Sequence, residues 1–162
     1  MIEVGIWIWA AGVVLTAALI ALATIDYRTG LLPDSLTLPL IAVGLGQAWG
    51  QGALRDAAIG AAAGYLAFVA LEKAYLRLRG AHGLGRGDAK LLAAGGAWCG
   101  WYGLPYIVLV ASVSGLALVA LSAVRTGRRP DSQTALAFGP HLALGVWSVW
   151  VAKSAVGGGL LP

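Results

Sequence analysis

Leu22-Ala23-Thr24-Ile25-Asp26-Tyr27-Arg28-Thr29-Gly30-Leu31-Leu32-Pro33-Asp34 decides how the chain is read. Residues 4–24 form an unbroken apolar run, and that run passes into the Asp26 carboxylate with no turn residue between them. Gly30 and Pro33 then punctuate the chain, as glycine and proline do at helix ends, before a second apolar run opens at Leu36. About 20 apolar residues is the length of helix that crosses the hydrocarbon of a bilayer. The stretch therefore sets an acid at the end of a membrane helix. Working outward, further apolar runs cover residues 36–49, 57–76, 91–101, 104–124 and 135 to about 156. The pattern predicts an all-α polytopic membrane protein with about six transmembrane helices, some short or broken, and residues 1–162 as a single membrane domain.

Composition agrees. Of 162 residues, 59% are hydrophobic and 11% charged, against about 45–50% and about 25% in soluble domains, and the mean hydropathy is +0.82. Cys99 is the only cysteine, so disulfide scaffolds and zinc-ribbon tetrads are excluded and no metal site is expected. Glu3 precedes the first run and no basic residue does, so the run lacks the positive n-region of a signal peptide and is expected to be retained.

The cations orient the helices. Loops one, three and five hold Arg28; Lys73, Arg77, Arg79, Arg86 and Lys90; and Arg125, Arg128 and Arg129, which is 9 of the 11 Lys and Arg residues. Arg55 and Lys153 fall on the other side. Positive charge marks cytoplasmic loops, so these loops are expected in the cytoplasm and the N-terminus outside. The seven tryptophans (Trp7, Trp9, Trp49, Trp98, Trp101, Trp147 and Trp150) all fall toward the outer ends of their runs, as an interfacial belt would. Basic residues beside spans are topology signals, and no nucleic-acid partner is expected; the bilayer is the expected surroundings.

Seven acids can be weighed one by one. Glu3 is terminal, Glu72 lies beside Lys73, and Asp131 lies in a basic loop. Asp34 and Asp56 precede helical runs and are expected to be N-caps. Asp26 and Asp88 differ, because each abuts an apolar helix at its cytoplasmic end, and a carboxylate at membrane depth costs about 2.5–3.5 kcal/mol on insertion scales. Two acids from separate helices at one depth suit proton carriage, cation binding or general acid–base activation of water. Asp26 stands at a helix C-terminus and Asp88 at an N-terminus, where the dipole favours negative charge. Repulsion makes such a pair share one proton, and on this ground Asp26 is expected to be the protonated member.

Around Asp88 the order is Gly83-Leu84-Gly85-Arg86-Gly87-Asp88-Ala89-Lys90. Glycine admits close backbone approach, which an extended peptide laid beside the acid would need. The run at 91–101 is only 11 residues, about 17 Å of helix against about 30 Å of hydrocarbon. Such a span is tolerated against protein or a wet cavity. Phe138-Gly139-Pro140-His141 interrupts the sixth run on the same side, with His141 either a third polar group near the acids or a helix-start residue. His82 is read as loop and Cys99 as packing.

Taken together, Ile25-Asp26-Tyr27-Arg28-Thr29-Gly30-Leu31-Leu32-Pro33-Asp34, then Gly85-Arg86-Gly87-Asp88-Ala89-Lys90-Leu91-Leu92-Ala93-Ala94 with Gly96-Ala97-Trp98, then Phe138-Gly139-Pro140, resemble the catalytic membrane domain of the bacterial type IV prepilin peptidases, the GxGD-type aspartic proteases. The resemblance implies an aspartic endopeptidase of the inner membrane. It would remove the basic leader of prepilins, pseudopilins or related preproteins on the cytoplasmic side, after a glycine. It maps the catalytic aspartates onto Asp26 and Asp88. Site-shaping or substrate-binding roles are expected of Gly85, Gly87, Lys90, Pro33, Phe138, Gly139 and Pro140, and a contribution of Arg86. No cofactor is implied. Bifunctional members carry an N-terminal insert with two Cys-x-x-Cys pairs and methylate the new N-terminus; this sequence lacks the insert, so methyl transfer is not expected. One mismatch stands: the third loop is basic and so are the leaders. The alternatives are a small ion or proton transporter using the same acids, and a non-catalytic partner in pilus or secretion assembly. Oligomeric state is left open.

Overall fold

The structure is a computed structural model. It describes the backbone of residues 2–79, 85–126 and 137–155, and the side chains of residues 10–78, 85–125 and 137–155. The described residues form six α-helices: α1 (Ile2–Thr29), α2 (Asp34–Gly50), α3 (Leu54–Arg79), α4 (Arg86–Cys99), α5 (Leu104–Thr126) and α6 (Gly139–Ala155), with a 3-10 turn at Trp101–Gly103 before α5. No strand occurs among them. The all-helical expectation holds. Among the described residues three segments are long and apolar enough to cross a membrane: Ala10–Thr29, Leu54–Leu78 and Trp101–Arg125. The other helices are shorter, with 17, 14 and 17 residues in α2, α4 and α6.

Small α4 sits at the centre. Ala89 and every residue from Leu91 to Cys99 are buried, with α3, α2, α6 and α5 packed around them. A helix that is apolar on all sides belongs inside protein, and this is how a span too short for the bilayer is accommodated. Outside, Val13, Ile20, Leu66 and Leu116 lie on the long helices with 62–71% of their surface exposed. Side chains of this kind face lipid, where their exposure carries no hydrophobic penalty.

The α3–α4 seam is made of bare backbone. A Cβ on Gly60 would sit 2.5 Å from the Gly96 carbonyl oxygen, and one on Gly64 would sit 2.8 Å from the Leu92 carbonyl oxygen. Gly60 and Gly64 are four residues apart and share a face, the small-residue spacing that lets membrane helices touch.

Two sequence expectations are corrected here. Trp98 and Trp150 are not part of an interfacial belt. They are core residues, with ring centroids 6.4 Å apart in an edge-on pair. Trp98 Nε1 donates to the Leu40 carbonyl at 2.9 Å, so the indole N–H is satisfied inside the bundle rather than at the headgroups. Trp49, Trp101 and Trp147 are exposed; the side chains of Trp7 and Trp9, with Glu3, His82, Gly83 and Asp131, lie outside the described residues. Nor are Asp34 and Asp56 N-caps. Pro33, in extended conformation, caps α2, and both acids stand inside the first turns of α2 and α3.

On this packing, Gly96→Ala drives its new methyl into the Gly60 carbonyl and should destabilise by about 1–3 kcal/mol. Gly46, with nothing within 4 Å of an added Cβ, is the control, and thermal unfolding in detergent should leave Gly46→Ala at or above the parent.

Candidate active site

α1 runs past its apolar stretch and ends at Thr29. Gly30, at φ +64°, stops it in the left-handed region that glycine adopts without strain, and its N–H closes on the Asp26 carbonyl at 2.8 Å. Asp26 is thus fixed in the last turn of the helix and is only 6% exposed. A buried carboxylate needs a donor. It comes from the far end of the sequence, where the Gly139 N–H donates to Asp26 Oδ2 at 3.0 Å. Gly139 is the first residue of α6, so its N–H is one of the free donors of a helix start. A Cβ at 139 would lie 2.5 Å from Asp26 Oδ2 and 2.7 Å from Cγ. No residue but glycine fits there. Pro140 follows in the first turn, where its missing N–H matters least, and Phe138 leans on Phe68 of α3 with centroids 6.3 Å apart.

Asp88 stands in the first turn of α4, with Gly85 at the N-cap position. Its N–H bonds the Gly85 carbonyl at 3.1 Å. Asp88 lies outside the three long spans. Burial raises its carboxyl, the charge of Asp26 raises it further, a backbone hydrogen bond from Gly85 opposes both, and the result is a shift from 3.8 up to about 6. The structure therefore brings the two acids, 62 positions apart in sequence, into each other's field. The sequence expectation puts the proton on Asp26; in the structure burial, the largest cause, pushes the Asp88 carboxyl upward.

The supporting residues gather at the same end. Gly87 does not stand open, since its added Cβ would be 2.8 Å from Leu32 Cβ; Leu32 from the α1–α2 turn is buried on it. An added Cβ on Gly85 would meet, among the described residues, just Asp88 Oδ2 at 3.7 Å and Gly87 N at 3.9 Å, both at ordinary contact distance. Lys90 Nζ forms an ion pair with Asp34 Oδ1, and Arg86 Nε lies 4.0 Å from Glu72 Oε2. Both cations that flank Asp88 are thus matched to carboxylates of other helices, which eases the charge mismatch noted from sequence. His141 Nδ1 is 3.0 Å from Ser114 Oγ on α5. Buried Cys99 packs as expected.

Sequence reasoning missed Leu32, Phe68 and the partnership of Asp34 with Lys90. Only the last left a trace, as opposite charges in a chain with few of either. No group of three or more His, Cys, Asp or Glu able to hold a metal occurs among the described residues.

The fold and site define a polytopic all-α membrane protein with two carboxylates, Asp26 and Asp88, in each other's field. Residues 13–120 match the type IV leader peptidase family, and the chain belongs to that family. It is 53% identical over 133 residues to the "Prepilin leader peptidase/N-methyltransferase" of Burkholderia pseudomallei (strain K96243), covering 81% of this chain and 42% of that one. Like-named proteins of Neisseria gonorrhoeae and Escherichia coli (strain K12) are 42% and 46% identical, covering 93% and 78% of this chain and 51% and 56% of theirs. The chain spans about half the length of these curated relatives. No solved structure matches it.

Titration of the carboxyl C=O stretch should find Asp88 protonating near pH 6. Asp26→Asn should lower that midpoint yet leave it above 3.8, since burial is the larger cause; a midpoint that does not move would mean that the acids do not interact.

Proposed function

We propose that this protein is an aspartic endopeptidase of the bacterial inner membrane that removes the leader of type IV prepilins, pseudopilins or related preproteins on the cytoplasmic side, after a glycine. Membership of the leader peptidase family supports the substrate class. The observation that carries the chemistry is that the charge of Asp26 acts on the Asp88 carboxyl from a separate helix. Nine of 11 cations on one side of the predicted spans support the orientation, with the acids near the cytoplasmic face and the N-terminus outside.

In this reading Asp88 acts as the acid and Asp26 as the base. Asp26, oriented by the Gly139 N–H, takes a proton from water as the water oxygen attacks the scissile carbonyl carbon. Protonated Asp88 gives its proton to the leaving nitrogen as the C–N bond breaks. Aspartates at one site thereby divide acid and base roles by environment. Gly85, where an added Cβ would meet only ordinary contacts among the described residues, is where the substrate backbone approaches. Lys90 and Arg86, held by Asp34 and Glu72, keep the first turn of α4 in place, and Leu32 and Pro33 hold the turn that faces it. Phe138 and Pro140 set Gly139 against Asp26.

Purified protein in detergent should convert a model prepilin to a faster-migrating product, and Asp26→Asn and Asp88→Asn should each abolish the shift. Gly139→Ala keeps both acids but moves one, and should slow cleavage by about 100-fold, the scale of a 1 Å misplacement. A carboxylate-dependent proton or ion flux with no proteolysis would establish the transporter instead. Normal pilus assembly by Asp88→Ala would point to a non-catalytic partner.

A further inference from the structure

The end of the bundle away from the carboxylates holds a second polar feature. From Asp88 to Cys99 α4 rises only about 17 Å, so it stops short of the far boundary of a hydrocarbon core about 30 Å thick. Gly100, at φ +79°, turns the chain out of the helix. Above it lies a cavity of about 170 Å³, bordered by Gln47, Asp56, Trp98, Gly100, Tyr102 and Lys153. The residues come from four helices and the turn before α5.

Its chemistry is two-sided. Gln47 Oε1 is buried and has no hydrogen-bond partner among the described residues, and a buried acceptor of this kind calls for a donor. The Asp56 carboxylate offers negative charge. Lys153 brings an ammonium with three N–H groups, one of which reaches the Cys99 carbonyl at 3.4 Å. One small space thus presents acceptors for a cation with N–H donors and a donor for an anion. Trp49 and Leu54, next in sequence to the lining residues Ala48 and Ala53, are exposed, an apolar border on which acyl chains can lie.

We propose that this cavity binds the headgroup of phosphatidylethanolamine. The primary ammonium donates to Asp56 and Gln47 Oε1, and the phosphate accepts from Lys153. A choline headgroup has no N–H to give Gln47. A glycerol headgroup has no cation for Asp56. The apolar border favours a lipid over a free zwitterion. The site is separate from the proposed catalytic pair and does not depend on the proteolytic reading.

Native mass spectrometry of the full chain, titrated with phosphatidylethanolamine, phosphatidylcholine and phosphatidylglycerol of matched acyl chains, tests this. The first should bind about tenfold more tightly than the others, the effect of one charge-assisted hydrogen bond. Asp56→Asn and Gln47→Leu should each remove the preference while keeping the parent melting temperature, and Asp88→Asn should retain it. Equal binding of the three lipids, or a preference that survives both cavity variants, would overturn the proposal. So would binding of soluble O-phosphoethanolamine as tight as that of the lipid, which would assign the cavity to a free small molecule.

Discussion

A carboxylate buried at the end of an apolar helix has to be given a hydrogen-bond donor, and much of this structure follows from how Asp26 gets one. The helix that carries it cannot help, because the backbone N–H groups of its last turn are already used within α1. A free N–H exists only where another helix begins. The start of α6 is brought to that point, and Gly139 donates to Asp26 Oδ2 at 3.0 Å. The approach leaves no room for a side chain, so the residue is glycine. One bond therefore ties the first helix to the last and closes the bundle around α4.

The central helix obeys a related constraint. α4 is too short to reach both surfaces of a membrane, so it is surrounded by protein on nearly every side. Its bare glycine seam with α3 brings backbones together, and Trp98 fills the space toward α2 and α6. Only the two ends of α4 meet polar groups. At one end Asp88 shares a field with Asp26, flanked by cations that are themselves paired. At the other the helix stops early and leaves a polar cavity. Both features arise from placing a 14-residue helix in the middle of a longer bundle.

The charge arrangement resolves a tension in the proposed function. A protease acting on basic leaders gains nothing from unmatched positive charge beside its acids. Lys90 is held by Asp34 and Arg86 lies near Glu72, so the two cations that flank Asp88 in sequence are matched by carboxylates. Exposed pairs of this kind add little stability. Their use is positional, joining the first turn of α2 and the C-terminal half of α3 to the start of α4.

By itself the sequence determined the helical class and the positions of the apolar runs within a few residues, and it singled out Asp26 and Asp88 among the acids. Each follows from composition and spacing along the chain, which local physics governs. Tertiary structure alone decided which groups those acids meet. Gly139 and Asp26 are 113 positions apart, and no periodicity links an N–H to a carboxylate over that distance. It likewise turned Trp98 and Trp150 inward, because an indole takes whichever partner packing supplies, and it made Asp34 an ion-pair partner rather than a cap, because Lys90 lay within reach. The upward push on Asp88 was hidden from the sequence for the same reason: the helix dipole can be read from the order of residues, but the burial that raises this carboxyl exists only once the other helices have closed around α4.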